Sequence, residues 1–190
     1  MNFLHSKYYY IFEKISNFLL LNLLWLLLSM PVIILLPATA AMFGVIRSWI
    51  KNKETSVIRV FFELFKENFK HSLLFGIIWA IYAASAYINL VIAVGYWKVT
   101  LTLLLIALGI ILTFMTVYIF PVMVHYQTRF IELMQKSLYF SVRFLPFTIL
   151  CILLFIGTIA VMIHFPVSSL IVPSLAAYVI SIICLKTFNL

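Results

Sequence analysis

The chain alternates between long runs without any charged side chain and short segments that hold most of the charge. The uncharged runs are Ile15–Ile46, His71–Trp97, Val99–Thr128 and Phe144–Leu185. A membrane-spanning helix needs about 20 mostly apolar residues, so each run is long enough to cross a bilayer and the last is long enough to cross twice. The pattern predicts an all-α, polytopic transmembrane helical bundle.

Composition points the same way. Of the 190 residues, 66% are hydrophobic and 9% are charged, whereas a soluble domain is about half apolar and about a quarter charged. So much apolar surface cannot be hidden in one core surrounded by water. We therefore expect a single integral membrane domain over residues 1–190, with the lipid bilayer as its partner.

The first run is the hardest to place. A straight helix over Ile15–Ile46 would be about 48 Å long, against about 30 Å for the hydrocarbon core, and Pro31 and Pro37 interrupt it. We expect one span, 15–36, and then a short helix from Pro37 that lies at the membrane surface or dips partly into it. A tight helical hairpin that crosses twice is the alternative. Cleavage of a signal peptide after Ala38-Thr39-Ala40 is disfavoured, because a secretory apolar core runs for about 7–15 residues.

The distribution of Lys and Arg predicts which loops face the cytoplasm. With single crossings, ten of the thirteen basic residues fall on one side of the membrane and three on the other. Because cytoplasmic loops carry the excess, we expect a protein of the cell (plasma) membrane with its N-terminus outside and its C-terminus cytoplasmic. The five predicted spans are about 15–36, 72–95, 99–120, 145–163 and 169–186.

Two charged segments between the spans have the pattern of amphipathic helices on the cytoplasmic side. Val57–Ser72 and Thr128–Arg143 repeat apolar and charged residues with the period of a helix. Both contain F-x-E-L, and we leave open whether this reflects a duplicated unit. The aromatic face of the first either lies in the membrane interface or packs on the protein's own spans. Its candidates for interfacial or partner contact are Arg59, Phe61, Phe62, Phe65, Lys66, Phe69 and Lys70.

Small and polar side chains inside the predicted spans favour close helix packing. Small residues four apart let a neighbouring helix approach closely. The candidates for helix packing are Gly76, Ala80, Ala84, Gly109, Thr113, Ala177 and Ser181. A second set carries amide or hydroxyl groups, which either join helices or form a polar lining for a solute path. This set is Asn22, Ser29, Thr113, Thr116 and Tyr118.

Reactive groups are scarce inside the predicted spans. The chain has no aspartate, and its five glutamates (13, 54, 63, 67, 132) lie outside the spans. Because ionisable groups inside spans mark proton relays and ion paths, a carboxylate-coupled transporter and an intramembrane aspartyl protease are excluded. Neither H-E-x-x-H nor G-x-S-x-G occurs. We predict no catalytic, cofactor or metal site.

The histidines, the cysteines and the basic excess do not change this prediction. His125 and His164 are expected at span boundaries where water reaches them, and Cys151 and Cys184 lie in apolar runs without metal-ligand spacing. The net charge of +8 is spread over short loops instead of one face of a domain, so we expect no nucleic-acid partner. Anionic lipid headgroups account for it better.

Several segments resemble the YesL-like proteins, a family of small integral membrane proteins of Gram-positive bacteria. The likeness follows LNLLWLLLSMPVIILLPATAAMFGVIRSWIK, FFELFKENFK, and YIFPVMVHY with LMQKSLYFSVRFLPFTIL. The P-x-T-A-A element with the downstream F-x-x-N-F carries it best. Family genes often accompany those for carbohydrate ABC importers, which implies a role beside sugar uptake. The family has no established catalytic residues, so none is carried over.

We therefore expect a non-catalytic integral membrane protein that serves as an accessory or assembly partner of a carbohydrate transport system. The resemblance implies ABC-type sugar importer subunits as its partners. A passive facilitator or channel for a small neutral solute is the alternative, because such a protein needs no coupling carboxylate. Permeability of reconstituted vesicles to sugars and polyols separates the two.

Overall fold

The computed structural model describes residues 3–51, 56–91, 96–126 and 128–188, and within these ranges it contains helices and turns but no strand. The helices are α1 Phe3–Ser29, α2 Leu35–Ile50, α3 Val57–Val91, α4 Tyr96–Tyr126, α5 Phe130–Arg143, α6 Leu145–His164 and α7 Val172–Phe188. Short 3-10 turns, Val32–Ile34 and Pro166–Leu170, precede α2 and α7.

Four stretches of helix are long and apolar enough to cross a membrane alone. They are Phe12–Ser29, Val57–Val91, Trp97–Tyr126 and Leu145–His164. Two shorter apolar helices, α2 and α7, complete the bundle. The prediction of an all-α, multi-pass membrane bundle of about five spans is confirmed.

The first apolar run folds as a helical hairpin. α1 ends at Ser29 because Pro31 disfavours helical geometry before it, and the Ile34 N–H donates to the Pro31 carbonyl at 2.8 Å to close the turn. On the returning helix, Thr39 meets Trp25 and Trp49 meets Phe18, with ring centroids 5.0 Å apart. Residue numbers fall on α1 as they rise on α2, so the two helices are antiparallel.

The placement of α2 differs from the expectation of a surface helix. Nine of its residues are buried: Pro37, Ala38, Ala40, Ala41, Met42, Phe43, Gly44, Val45 and Ile46. Small side chains allow this, because they let neighbouring helices approach on every side. A Cβ placed on Gly44 would lie 2.5 Å from Leu64 Cδ1 of α3. The helix begins at Leu35, so Pro37 lies in its first turn, where proline is tolerated.

The segment expected as a separate amphipathic helix is the first half of α3. Val57–Val91 is one helix of 35 residues, about 52 Å long, because no proline interrupts it. It runs antiparallel to α2 and then to α4, where Trp79 meets Thr116 and Asn89 meets Thr102. The last predicted positions of this span, 92–95, lie outside the described residues.

The second half of the chain closes the bundle. Phe144 (φ −114, ψ 47) separates α5 from α6, and Pro146 stands in the first turn of α6. α5 packs against the last part of α4, where Phe140 lies 6.2 Å from Tyr118 and 6.4 Å from Tyr126 between ring centroids. α7 returns beside α1 and α4 and buries Ala177, Ile180 and Cys184.

The C-terminal ends of α2, α4 and α7 (Ile50, Tyr126 and Phe188) lie together, and we call this the basic end of the bundle. Arg47 of α2 reaches Val124 of α4, and the rings of Tyr126 and Phe188 are 5.8 Å apart. α1 is antiparallel to α2 and α7, so its N-terminal part points to the same end. α1 therefore begins at the end of the bundle at which α7 ends.

The opposite end of the bundle is a two-helix projection. We call residues 77–91 of α3 and 97–111 of α4 the hairpin tip. None of these residues is buried, and most of the large apolar ones are exposed. Asn89 donates to Thr102 at 2.8 Å across the pair, and Gly109 gives Tyr82 room to lie against α4. The tip presents its apolar surface to lipid.

Candidate functional site: buried polar contacts and the basic end

Asn22 fastens α1 to the start of α7. Its side chain is fully buried. The amide nitrogen lies 2.6 Å from Ser174 Oγ and 3.2 Å from the Ile171 carbonyl, and Oδ1 accepts the Ser174 N–H at 3.1 Å. First-turn N–H groups of a helix lack partners within it, so Asn22 serves as a cap supplied by another helix. Its amide thus holds α1 and α7 together, and it also donates to the Phe18 carbonyl of its own helix at 3.2 Å.

Two tryptophan–threonine pairs make similar links between neighbouring helices. The indole N–H of Trp25 donates to Thr39 Oγ1 at 3.1 Å and joins α1 to α2. That of Trp79 donates to Thr116 Oγ1 at 3.1 Å and joins α3 to α4. Each threonine hydroxyl donates in turn to a carbonyl of its own helix at 2.7 Å. Thr39 and Ser174 escaped the sequence analysis because a lone hydroxyl in an apolar run does not reveal its partner.

The structure does not bring the predicted polar-lining residues together. Asn22 faces α7 and Thr116 faces Trp79 of α3, while Thr113 is exposed and donates to the carbonyl of Gly109. Tyr118 is fully buried with its ring near Phe140 and Phe188. Ser29 is half-buried at the end of α1. Asn22, Thr116 and Tyr118 thus lie in separate helix contacts, and Thr113 lies at the surface of α4.

The predicted packing residues have mixed positions. Gly76 is half-buried, and a Cβ on it would lie 3.0 Å from Leu36 Cδ1 of α2. Ala80 and Ala84, on the same side of α3, are exposed. Ala177 and Ser181 of α7 are buried in the bundle. The stripe of Gly76, Ala80 and Ala84 therefore begins in a protein contact and continues onto the lipid-facing hairpin tip.

A small cavity lies between α2, α4 and α7 at the basic end. Its lining consists of Phe43, Arg47, Pro121, Val124, Ser181, Leu185 and Phe188. The Arg47 guanidinium donates to the Val124 carbonyl at 3.0 Å, where it complements the negative end of α4. Within the described residues Arg47 Nε and Ser181 Oγ are buried without a hydrogen-bond partner. Chemically, the cavity offers hydrogen bonds to a small acceptor such as water.

The first half of α3 divides its candidate contact residues between core and surface. Phe61 is fully buried, and Phe65 and Phe69 are half-buried and packed with it in an aromatic row. Arg59, Lys66 and Lys70 are exposed, and so is Phe62. Phe61, Phe65 and Phe69 thus pack on the protein itself, which was one of the two expected alternatives, whereas Phe62 and the charged side chains remain at the surface.

Among the described residues, the buried thiols of Cys151 and Cys184 interact with each other and lie beside Tyr118. No group of three His, Cys, Asp or Glu side chains in this part of the chain could hold a metal. Glu63, Glu67 and Glu132 are exposed and Glu13 is half-buried, while Glu54 lies outside the described residues. One of the described histidines and both cysteines lie in packed surroundings. His125 packs on Tyr126 and Phe188, and Cys151 and Cys184 are buried free thiols.

Comparison with known proteins identifies relatives across most of the chain. The family described as Protein of unknown function, DUF624, matches residues 18–90, which hold the α1–α2 hairpin and most of α3. The uncharacterized protein YesL of Bacillus subtilis (strain 168) is 33% identical over 125 residues, which are 64% of this chain and 60% of YesL. The match thus spans less than two thirds of that relative.

A second relative gives broader coverage. The uncharacterized protein YteU of Bacillus subtilis (strain 168) is 30% identical over 160 residues, which are 81% of this chain and 72% of YteU. No solved structure matches the chain. The resemblance noted in the sequence is therefore confirmed, and the chain belongs to the YesL-like family of multi-pass membrane proteins.

Proposed function

We propose that this protein is a non-catalytic accessory or assembly partner of a carbohydrate transport system in the plasma membrane. The observation that carries the proposal is the use of the interior polar groups. Asn22, Thr39 and Thr116 form hydrogen bonds between helices, as expected of a bundle that is stabilised by close packing. Such an interior supports a scaffold better than a solute path.

The charge distribution supports a cytoplasmic position for the basic end. With α1 and α2 as a hairpin, eleven of the twelve basic residues that the structure describes lie at or beyond this end, and Lys98 alone lies at the other. This excess of basic residues on one side is larger than the ten against three that single crossings give, and it follows the positive-inside rule. Both termini are then cytoplasmic, because α2 adds one crossing to the five predicted spans. Fluorescent-protein fusions at each terminus test this, and a dark or periplasmic N-terminal fusion contradicts it.

The exposed charged face of α3, which has three basic residues and the acidic residues Glu63 and Glu67, is the proposed contact surface for the partner. Arg59, Lys66 and Lys70 project from the helix whose opposite face packs in the core. A rigid helix presents charges at fixed spacing, which favours recognition of an acidic protein surface. The role beside sugar uptake rests on the family resemblance, and the contact surface rests on this exposure.

Affinity purification from native membranes tests the proposal. A tagged wild-type chain should recover subunits of a sugar importer in every preparation. Lys66→Glu with Lys70→Glu should lower the recovery severalfold, because these charges are exposed on the contact face. Lys98→Glu at the opposite end is the matched control and should leave recovery unchanged. Wild-type protein that is consistently recovered alone contradicts the proposal.

The facilitator alternative has a separate test. Vesicles that contain the purified chain should be no more permeable to sugars and polyols than vesicles without protein. Faster solute entry that is lost in Thr116→Val would favour a path beside α4 and would overturn the accessory role. Loss of partner recovery and gain of permeability are independent readouts, so each hypothesis can fail alone.

A further inference from the structure

α5 turns its small side chains toward the bundle. Leu133, Ser137 and Ser141 are fully buried on this helix. The hydroxyl of Ser137 donates to the Leu133 carbonyl at 2.7 Å and that of Ser141 to the Leu138 carbonyl at 2.9 Å. Both hydroxyls are therefore satisfied within the helix, and the serines act as small spacers that let α5 lie close against α4.

The outward face of α5 carries a row of apolar side chains beside the exposed polar residues Glu132 and Gln135. Ile131 is 70% exposed, Tyr139 is 54% exposed and Val142 is 55% exposed, and Leu138 is also exposed. Ile131, Leu138 and Val142 are seven and four residues apart, so they form one stripe along the helix. An exposed apolar stripe of this kind marks a surface that contacts lipid or a partner.

Basic and aromatic side chains frame this stripe. Arg129 and Arg143 stand at the two ends of α5 and are exposed. Arg143 lies over the rings of Tyr139 and Phe144, with 5.6 and 5.7 Å between the guanidinium carbon and the ring centroids. Lys136 Nζ is 4.4 Å from the centroid of Tyr126. Long basic side chains place apolar stems beside such rings and keep their charge in the headgroup region.

We propose that α5 lies in the membrane interface at the basic end and binds anionic lipid headgroups. Ile131, Leu138 and Val142 enter the acyl boundary, and Arg129 and Arg143 meet the lipid phosphates at its two ends. Charge complementarity selects this occupant, because α5 and its N-cap carry three basic residues (Arg129, Lys136, Arg143) against one acidic residue (Glu132). Apolar helices with flanking cations bind anionic bilayers in this way. The proposal does not depend on a transport partner.

Spin labels on the full-length protein in vesicles test the depth of α5. Val142→Cys reports the stripe and Lys66→Cys on α3 is the aqueous control, since both positions are exposed. Both native cysteines are buried, and labelled wild type measures their background. The ratio of collisions with oxygen to those with a water-soluble nickel chelate should be severalfold higher at 142 than at 66. Equal ratios would place the stripe in water and overturn the proposal.

Lipid composition and charge reversal test the headgroup contact. The ratio at 142 should be higher in vesicles with phosphatidylglycerol than in vesicles of phosphatidylcholine alone. Arg129→Glu with Arg143→Glu should remove this difference, whereas Arg59→Glu on α3 should preserve it. A label at 142 that neither reagent reaches would show that a second copy covers the stripe, and it would overturn the lipid assignment. A collision ratio at 142 that is the same with and without phosphatidylglycerol would overturn the headgroup assignment.

Discussion

The helix α2 and the hairpin tip are both strongly apolar, but they meet different surroundings. α2 is enclosed by α1, α3, α4 and α7, and its residues from Pro37 to Ile46 are buried almost without interruption. In the hairpin tip no residue is buried, and Ile, Leu and Val side chains point outward. Both are apolar, but side-chain size alone does not separate them, because the tip also contains small residues such as Ala80 and Ala84, which stay exposed.

This difference shows what stabilises the bundle. Lipid tails are as apolar as leucine, so burying a side chain in protein instead of lipid gains little from the hydrophobic effect. The gain comes from close packing and from hydrogen bonds between helices. α2 has both, through Gly44 against Leu64 and Thr39 with Trp25. We therefore expect substitutions to be costly around α2 and mild in the tip.

The largest effect is expected from Gly44→Leu. The new side chain must displace Leu64 of α3, and overpacking a well-packed core costs about 1–3 kcal/mol. The free energy of unfolding, measured by detergent titration in mixed micelles with tryptophan fluorescence, should fall by about 2–3 kcal/mol.

Gly157→Leu is the matched control for this substitution. No atom lies within 4 Å of a Cβ on Gly157, so its free energy of unfolding should stay within about 0.5 kcal/mol of the wild type. Leu64→Ala should restore part of the stability of the Gly44 variant. Equal losses at both glycines would contradict the tight α2–α3 contact.

Asn22→Leu should have the next largest effect. The substitution keeps the approximate size of the side chain but leaves the Ser174 N–H without its acceptor, and a buried unpaired group costs about 1–3 kcal/mol. Asn89→Leu in the hairpin tip removes a comparable amide contact with Thr102, where such a bond is worth about 0.6 kcal/mol. If Asn89 proves as costly as Asn22, capping of α7 is not what Asn22 contributes.

Gly109→Ala should have a smaller effect. An added Cβ meets the hydroxyl of Tyr82, but this atom is the end of a long side chain that can shift. We expect a loss of about 1 kcal/mol by the same titration. Tyr82→Phe removes the nearest atom and should recover part of the loss in the double variant. Failure of the double variant to recover would mean that α3 and α4 do not meet at this glycine.

Ala84→Leu should have the smallest effect on the fold. Ala84 is exposed on the hairpin tip, so the free energy of unfolding should remain within about 0.5 kcal/mol of the wild type. Light scattering on the same preparation reports the oligomeric state. Ala84→Leu should change this state only if a helix of another copy packs on the stripe of Gly76, Ala80 and Ala84. A loss of stability as large as that of Gly44→Leu would remove the contrast between the two regions.

Much of the fold could be predicted from the spacing of charges. The all-helical bundle follows from the uncharged runs, and the limits of α6 follow from Arg143 at its start and from the need for two spans within Phe144–Leu185. The path of α2 could not be derived, because Pro31 fits either a surface helix or a hairpin turn. Only Trp25 with Thr39 and Phe18 with Trp49 decide between them, and such pairs depend on the tertiary fold.

The candidate site was less predictable than the fold. Asn22 could be picked out as an amide in a span, but its partner Ser174 is 152 residues away in the sequence. The two F-x-E-L helices show the same limit. Asn68 and Ser72 follow the first motif at the spacing of Ser137 and Ser141 after the second, and all four are buried. Most of the aromatic face of α3 packs inward, whereas α5 keeps an apolar stripe outward, and no local pattern separates these outcomes.

The shortness of α2 has a consequence for biogenesis. At 16 residues it is about 24 Å long, less than the thickness of the hydrocarbon core, and three of the helices that shelter it leave the ribosome after it does. Before α3, α4 and α7 are synthesised, α1 is the one helix of this bundle that α2 can pack against. We therefore expect these two helices to insert together as one unit.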